Sequence, residues 1–169
     1  FGFSGLEVIA IGERPGPMKV ADINHDGLED IIVVNNRDSR IDLLIQKPDA
    51  DPEAPVAAPE RVNDLPEHWM FERQSVGVAD EIDAIALHDF DDDGRLDIVY
   101  AASKNDRVVF LAQQTPGDFK VAGRRAVRKL EANPSAFQIL DVIGDPRPEL
   151  LTLTEGKITI WPLDGTSLG

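Results

Sequence analysis

An acidic loop pattern occurs twice in the chain, with the oxygen-donor spacing of a hard-cation site. Both copies read Asp-x-Asn/Asp-x-Asp-Gly-x-x-Asp, and glycine at the sixth position tolerates the positive φ of a sharp turn. The donors are oxygens, without histidine or cysteine, and therefore favour Ca²⁺ over zinc or copper. The predicted ligands of two calcium sites are Asp22, Asn24, Asp26, the carbonyl of Leu28 and Asp30 in the first loop, and Asp89, Asp91, Asp93, the carbonyl of Arg95 and Asp97 in the second.

A third copy of the loop, which begins at Asp141, departs from the pattern at two positions. Ile143 stands at the third position, where it offers no oxygen donor. Pro146 stands at the sixth position, where its ring cannot adopt the positive φ of glycine. The ninth position is Glu149. We expect this loop to keep the turn and to hold no ion.

The first two loops differ from an EF-hand, which begins with the same letters. The bidentate glutamate of an EF-hand would fall on Val33 or Tyr100, and strand-like Ile/Val runs replace its flanking helices. The simplest alternative is an acidic, solvated turn without metal, but two copies that match at every ligand position favour the metal. We expect a structural role, because an ion removes the repulsion between the carboxylates and ties two strands together.

The apolar runs around the loops indicate the strands that position them. These runs hold four to nine residues, are rich in Val and Ile, and end at Asp, Asn, Gly or Pro, so they predict an all-β fold. A segment with alternating apolar residues precedes each loop, and a continuous apolar run follows it. A third predicted strand then lies at a nearly constant number of residues after the first aspartate of the loop. Fourth strands are predicted near residues 69–76 and 119–127. Only residues 78–81 and 124–130 show weak helical signals.

Four strands in a unit of about 50–65 residues match the size of a β-propeller blade, and the repeat divides the chain accordingly. The first part is expected to hold the outer strand of a preceding blade, at residues 6–11, and a linker. A Pro-rich insertion at 47–68 is predicted to be an exposed loop or hairpin tip. The predicted parts are residues 1–16, blade 1 at 17–80 with that insertion, blade 2 at 81–131, and a partial blade 3 at 132–169.

The loops, strand flanks and period resemble the FG-GAP/VCBS repeats of integrin-α-type β-propellers over residues 18–163. The Phe-Gly and Gly-Ala-Pro elements of that family are not matched in place, which favours the bacterial VCBS-like branch. The resemblance implies a calcium-stabilised propeller of about seven blades, of which this chain supplies about three. It also implies an extracellular or periplasmic location and contact with a protein partner or extracellular ligand. The remaining blades would come from the parent chain or a neighbouring subunit.

Composition excludes several classes of function. The 169 residues include 31 acidic and 17 basic side chains, and the net charge of −14 argues against binding to nucleic acid or anionic lipid. No apolar run approaches the length of a membrane span. The chain has no cysteine, which excludes disulfides, thiolate metal sites and cysteine nucleophiles. Because the sequence starts at Phe1 without a basic and apolar leader, we expect any targeting peptide to be removed or to lie outside it.

No catalytic residue is predicted. His25, His68 and His88 lie in unrelated settings, and the sequence contains neither a nucleophile elbow nor a Gly-rich phosphate loop. The main hypothesis is therefore a non-enzymatic module for binding or scaffolding, with structural calcium. The alternatives are a fragment of a propeller-fold enzyme, such as a calcium-dependent polysaccharide lyase, and a structural subunit of a large assembly.

Overall fold

Three antiparallel sheets of four strands make up the fold in a computed structural model, which describes residues 6–53, 55–59, 64–133, 137–144, 147–164 and 167–168. In each sheet the strands pair in chain order, as a meander. Sheet 1 contains β1 (Pro15–Ala21), β2 (Asp30–Asn35), β3 (Arg40–Gln46) and β4 (Phe71–Gly77). Sheet 2 contains β5 (Ala84–His88), β6 (Asp97–Ala102), β7 (Arg107–Thr115) and β8 (Asp118–Ala126). Sheet 3 contains β9 (Phe137–Leu140), β10 (Glu149–Thr154), β11 (Lys157–Asp164) and β12 (Ser167–Leu168).

The all-β prediction is confirmed, and the repeat also sets the strand register. Alternating apolar residues at repeat-equivalent positions form the central pairs of all three sheets. These equivalent pairs are Ile32 with Leu43, Val99 with Phe110, and Leu151 with Ile160. The third pair is closer in sequence because the third repeat is two residues shorter between these strands.

Sheet 2 lies between the other two sheets and contributes to two hydrophobic cores. One face of sheet 2 presents Ile98 and Val109 to sheet 1, where they pack in a cluster with Ile32 and Ile41. The opposite face presents Phe110 to sheet 3. Because successive residues of a strand point to opposite faces, β6 and β7 are apolar on both sides, which explains their unbroken hydrophobic runs.

The first strands of the three sheets lie side by side. Contacts join β1 to β5 and β5 to β9, so the sheets come together along these strands. Each first strand leads directly into one acidic loop, and the loops therefore lie at the same end of the three sheets. None of the helices in the described part of the chain is long and apolar enough to cross a membrane.

The structure differs from the sequence-based expectation at residues 6–11 and adds detail at several other segments. Residues 6–11, expected to form a strand, have no regular structure, because a strand needs a partner and no sheet edge in the described residues pairs with them. Neither 78–81 nor 124–130 contains helix, in agreement with the all-β prediction and despite the weak helical signals there, and 124–130 begins inside β8 and continues as a turn. The one helical element of the described residues, the 3₁₀ turn Ser103–Asn105, was not predicted. Sheet 3, expected to be partial, has a fourth strand of two residues.

The described residues of the Pro-rich insertion, which are all of 47–68 except 54 and 60–63, contain no helix or strand. Its base is closed by a backbone hydrogen bond from Lys47 N–H to the Met70 carbonyl at 2.8 Å. The Lys47 Nζ also donates to the His68 carbonyl at 3.0 Å. The insertion therefore leaves β3 and returns to β4 at one point, without disturbing the pairing of these two strands.

Candidate metal centre

The two acidic loops occupy the same place in neighbouring sheets. The first connects β1 to β2, and the second connects β5 to β6. In both, the first aspartate immediately follows the first strand, and the ninth residue begins the second strand. The antiparallel pairing of the two strands thus holds the loop at both ends and fixes the distance between its first and ninth residues.

The first aspartate of each loop organises the turn by accepting two backbone hydrogen bonds. Asp22 accepts from the N–H of Asp26 at 3.0 Å and of Gly27 at 2.9 Å. Asp89 accepts in the same way from Asp93 at 3.1 Å and Gly94 at 2.8 Å. This bonding folds the fifth and sixth residues back over the first, which gives the loop its concave shape.

Positive φ angles recur at the same positions of the two loops. The fourth residues, His25 and Asp92, have φ of 59° and 58°. The sixth residues, Gly27 and Gly94, have φ of 87° and 84°, in the region that favours glycine. The backbone therefore agrees with the predicted sharp turn at the sixth position. The positive φ at the fourth position was not predicted from the sequence.

The ninth residue of each loop is a fully buried carboxylate at the start of the second strand that bonds both the loop and the third strand. Asp30, 0% exposed, accepts hydrogen bonds from Ile23 N–H at 3.0 Å and from Gln46 N–H at 2.8 Å. Asp97, also 0% exposed, accepts from Phe90 N–H at 3.0 Å and from Gln113 N–H at 2.8 Å. Each carboxylate thus links its loop to the third strand, a structural role that the spacing alone did not indicate.

The second loop brings three of its predicted ligands together. Carboxylate oxygens of Asp89, Asp91 and Asp97 all lie within 4.8 Å of one another. A carboxylate has about four lone-pair sites, so the two backbone hydrogen bonds to Asp97 leave it able to coordinate a cation. The donor set, three carboxylates at one point, fits a hard cation such as Ca²⁺. Coordination by these residues remains a prediction.

The predicted ligands at the fifth and seventh positions of the second loop are engaged with each other. The Asp93 carboxylate pairs with the Arg95 guanidinium and also accepts the Arg95 N–H at 2.9 Å. The Nε of Arg95 donates to the Gln113 carbonyl at 2.9 Å. The positive charge of the Arg95 side chain therefore already neutralises the Asp93 carboxylate, one of the predicted ligands in this loop.

In the first loop the corresponding contacts involve neutral groups. Asn24 donates to the Asp26 carboxylate at 2.9 Å, and its side-chain oxygen accepts the Asp26 N–H at 3.1 Å. The seventh residue, Leu28, donates its N–H to Asp26 at 2.8 Å and has no side-chain charge. The first loop thus lacks the competing guanidinium found in the second.

Burial raises the pKa of the ninth-position carboxylates in both loops. Desolvation is the main cause for Asp30 and for Asp97, and the negative charges of neighbouring aspartates act in the same direction. The backbone hydrogen bonds to these carboxylates oppose the effect. A cation among the carboxylates would supply the positive charge that these buried groups lack.

The third loop shares part of this geometry. Asp141 accepts the Gly144 N–H at 2.7 Å, and Glu149 accepts the Val142 N–H at 2.9 Å, as the ninth residues of the other loops do. Ile143, at the third position, is 59% exposed and offers no oxygen donor. The fifth and sixth positions, Asp145 and Pro146, lie outside the described residues, so the expectation that this loop holds no ion stays a prediction.

Sequence analysis missed one residue that connects the two loops. The side-chain amide of the buried Gln113 donates to the carbonyls of Ile23 at 3.1 Å and Leu96 at 2.7 Å, in the first and second loops respectively. A signal was present in the repeat, since Gln46 and Gln113 each follow the first aspartate of their loop by 24 residues.

Comparison of the chain with protein-family models, with curated proteins and with solved structures gives no match.

Proposed function

We propose that this chain is a non-enzymatic, calcium-binding β-propeller repeat module that serves protein or ligand interaction, with structural calcium in its first two loops. The observation that carries the proposal is the repetition of one loop geometry at equivalent positions of two neighbouring sheets. The same hydrogen bonds, the same positive φ positions and the same buried ninth carboxylate occur in both loops.

The electrostatics of the loops support a bound cation. Several carboxylates lie within a short loop of a chain whose net charge is −14, and three of them meet in the second loop. Like charges at such separations repel, and the burial of Asp97 removes the solvent that would screen them. Calcium would convert this repulsion into attraction and would tie β5 to β6, as it would tie β1 to β2 in the first loop.

The arrangement of the sheets supports the proposal that the chain is part of a β-propeller. Four-stranded meanders that stack face to face, with their first strands adjacent, are the arrangement expected of consecutive blades around an axis. The described sheets form a row, and the proposed ring requires further blades. We propose that these come from the rest of a longer chain or from a neighbouring subunit.

An uncovered apolar face on sheet 3 supports a neighbouring sheet at this end of the row. Ile158 is 71% exposed and Ile160 is 46% exposed. The equivalent residues of sheet 2, Val108 and Phe110, are both 0% exposed because sheet 3 covers them. The same observation favours the second candidate function, a structural subunit of a large assembly, in which another chain would cover this face.

The proposed location is extracellular or periplasmic. Millimolar Ca²⁺ outside cells suits loops of modest affinity, with dissociation constants on the order of 10⁻⁴–10⁻³ M. A solvent-facing loop such as the first, in which Asp26 is exposed, fits that range better than the rigid cages of high-affinity sites.

Thermal melting with Ca²⁺, Mg²⁺ or chelator tests the proposal. A cation that binds only the folded state stabilises it by about 2.7 kcal/mol per site at 100 times its Kd, so two sites give a large rise in Tm. We expect the rise with Ca²⁺ and little with Mg²⁺, which resists losing its water. Equal melting in all three conditions would refute the calcium proposal. Turnover of a polysaccharide by the full-length chain would instead favour the lyase alternative.

A further inference from the structure

We propose that the two acidic loops bind Ca²⁺ cooperatively and that Gln113 is the positioning residue that couples them. This inference rests on the proposed calcium binding and adds a relation between the sites. It is based on a continuous series of hydrogen bonds that joins the ninth carboxylate of one loop to that of the other, across two sheets.

The series begins at Asp97 in the second loop and ends at Asp30 in the first. Asp97 accepts the Gln113 backbone N–H at 2.8 Å. The Gln113 side-chain amide donates to the Ile23 carbonyl at 3.1 Å. The Ile23 N–H in turn donates to Asp30 at 3.0 Å. Three hydrogen bonds therefore separate the two predicted ligands, although the loops lie 67 residues apart in the sequence.

Every member of this series is shielded from solvent. Ile23, Asp30 and Asp97 are 0% exposed, and Gln113 is 1% exposed. Water therefore cannot replace a broken bond in the series at low cost, and a buried polar group left without a partner costs about 1–3 kcal/mol. The four residues must move together or remain in place together.

This arrangement explains how an ion in one loop affects the other. A cation that fixes the Asp97 carboxylate also fixes the backbone of Gln113, and through its amide the carbonyl of Ile23. Ile23 is the second residue of the first loop, so part of the ordering of that loop is then already complete. The second ion binds to a loop that loses less conformational freedom, which raises its affinity.

The repeat supplies a matched control for Gln113. Gln46 occupies the same position in sheet 1 and donates its backbone N–H to Asp30, as Gln113 does to Asp97. Ile41, Leu43 and Ile45 of β3 pack toward sheet 2, and because side chains alternate along a strand, Gln46 lies on the opposite face of sheet 1. Its side chain therefore does not enter the series described above. Replacing Gln46 removes the same side chain at an equivalent site without breaking the bond between the loops.

Calcium titration by calorimetry of the full chain measures the coupling. Asp91→Ala leaves the first loop as the only complete site, and Asn24→Ala leaves the second. The coupling factor is the product of the two wild-type association constants divided by the product of the constants of these single-loop variants. We expect a factor of about 5 or more, which is the lower end of typical coupling between sites. The same factor is then measured with Gln113→Met and with Gln46→Met in the background.

The expected result is a factor near 1 with Gln113→Met and an unchanged factor with Gln46→Met. A wild-type factor near 1 would overturn the coupling while the calcium sites remained. A factor that persists with Gln113→Met would overturn the role of Gln113. Absence of calcium binding by the wild-type chain would overturn both this inference and the proposed function, and is thus distinguishable from the other outcomes.

A second measurement keeps the inference testable if Gln113→Met does not fold, which circular dichroism would show. In Asn24→Ala, Ca²⁺ fills only the second loop, yet we expect it to slow hydrogen exchange of the Ile23 amide in the first loop. Unchanged exchange at Ile23, with slowed exchange at Phe90 in the second loop, would overturn the coupling.

Discussion

Asp30 and Asp97, 67 residues apart, accept the same pair of backbone hydrogen bonds in their two sheets. Each accepts a hydrogen bond at 3.0 Å from the second residue of its own loop and one at 2.8 Å from a glutamine in the third strand of its sheet. Both are completely buried. A carboxylate at this position therefore supports the sheet whether or not an ion is bound, and these two contributions can be separated by experiment.

Asp97→Ala is expected to destabilise the chain even in chelator. The substitution leaves the N–H groups of Phe90 and Gln113 buried without acceptors, at a cost of about 1–3 kcal/mol each. Asp91→Ala in the same loop removes an exposed carboxylate that supports no buried N–H group, so its cost in chelator should stay within about 0.5 kcal/mol. Urea unfolding in chelator measures both. Equal losses for the two variants would contradict the structural role assigned to the ninth position.

Asp91→Ala is expected to remove one of the two calcium responses. It deletes one of the three carboxylates that meet in the second loop, so the stabilisation by saturating Ca²⁺ should fall by at least about 2.7 kcal/mol at 100 times the original Kd. Asp92→Asn is the control, because it removes an equal charge from the adjacent position and asparagine tolerates the positive φ found there. The measurement is the difference in Tm with and without Ca²⁺. If Asp92→Asn reduced this difference as much as Asp91→Ala, general electrostatic screening would explain the response.

Gly94→Ala is expected to lower the free energy of unfolding by about 1–2 kcal/mol, since alanine at a φ of 84° is strained. No atom lies within 4 Å of the added Cβ, so the cost comes from the backbone alone. Gly77 in β4 also has open space around it but not a positive φ, and Gly77→Ala should be neutral or slightly stabilising. Chemical denaturation in chelator measures the free energy of unfolding of both variants. A Gly94→Ala variant as stable as Gly77→Ala would argue against this turn geometry.

Asp80 provides a pH-dependent contribution to stability outside the loops. Burial raises its pKa, but hydrogen bonds from Arg107, Asn105 and Tyr100 outweigh burial and hold the pKa below the ordinary value. A carboxyl group whose pKa is lower in the folded state stabilises the fold above its unfolded pKa of about 3.9 and loses this effect as the pH falls through the folded value. We therefore expect the stability difference between the wild-type chain and Asp80→Asn to shrink below about pH 4.

The measurement for Asp80 is the urea midpoint in chelator between pH 6 and pH 2.5. Asp51→Asn removes an exposed carboxylate and controls for the general effect of charge. A difference between wild type and Asp80→Asn that stays constant over this range would show that the charge of Asp80 does not contribute. The raised pKa values of Asp30 and Asp97 act in the opposite direction in both chains and cancel in the comparison.

Much of the fold follows from local patterns that the sequence contains. The strands β2, β6 and β10 coincide with the apolar runs that leave the loops, because alternation and β-branched residues act over four to seven positions. The turn at Gly27 and Gly94 follows from the conformational freedom of glycine. These features depend on neighbours in the chain, which a repeat displays several times over.

The features that escaped prediction depend on residues far apart in the chain. The bond from Gln113 to Ile23 spans 90 residues and forms only because sheets 1 and 2 stack. The pairing of Arg95 with Asp93 depends on a side-chain conformation that spacing does not define. Residues 6–11 were wrongly expected to form a strand because their apolar pattern is indistinguishable from that of a paired strand, and pairing is decided by the partner.

The exposed face of sheet 3 makes a prediction about Ile158 and its equivalent in sheet 2. Val108→Lys places a charge in a closed core, where we expect unfolding or a loss of about 3 kcal/mol or more. Ile158→Lys occupies the same repeat position but lies in solvent, so the cost for this chain alone should stay within about 0.5 kcal/mol. Urea unfolding compares the two variants, and light scattering over a range of concentrations reports self-association through the apolar face, which the lysine should reduce. A large loss of stability in a monomeric Ile158→Lys variant would mean that the chain covers this face itself. In that case the face would no longer support the proposal that a further sheet packs against it.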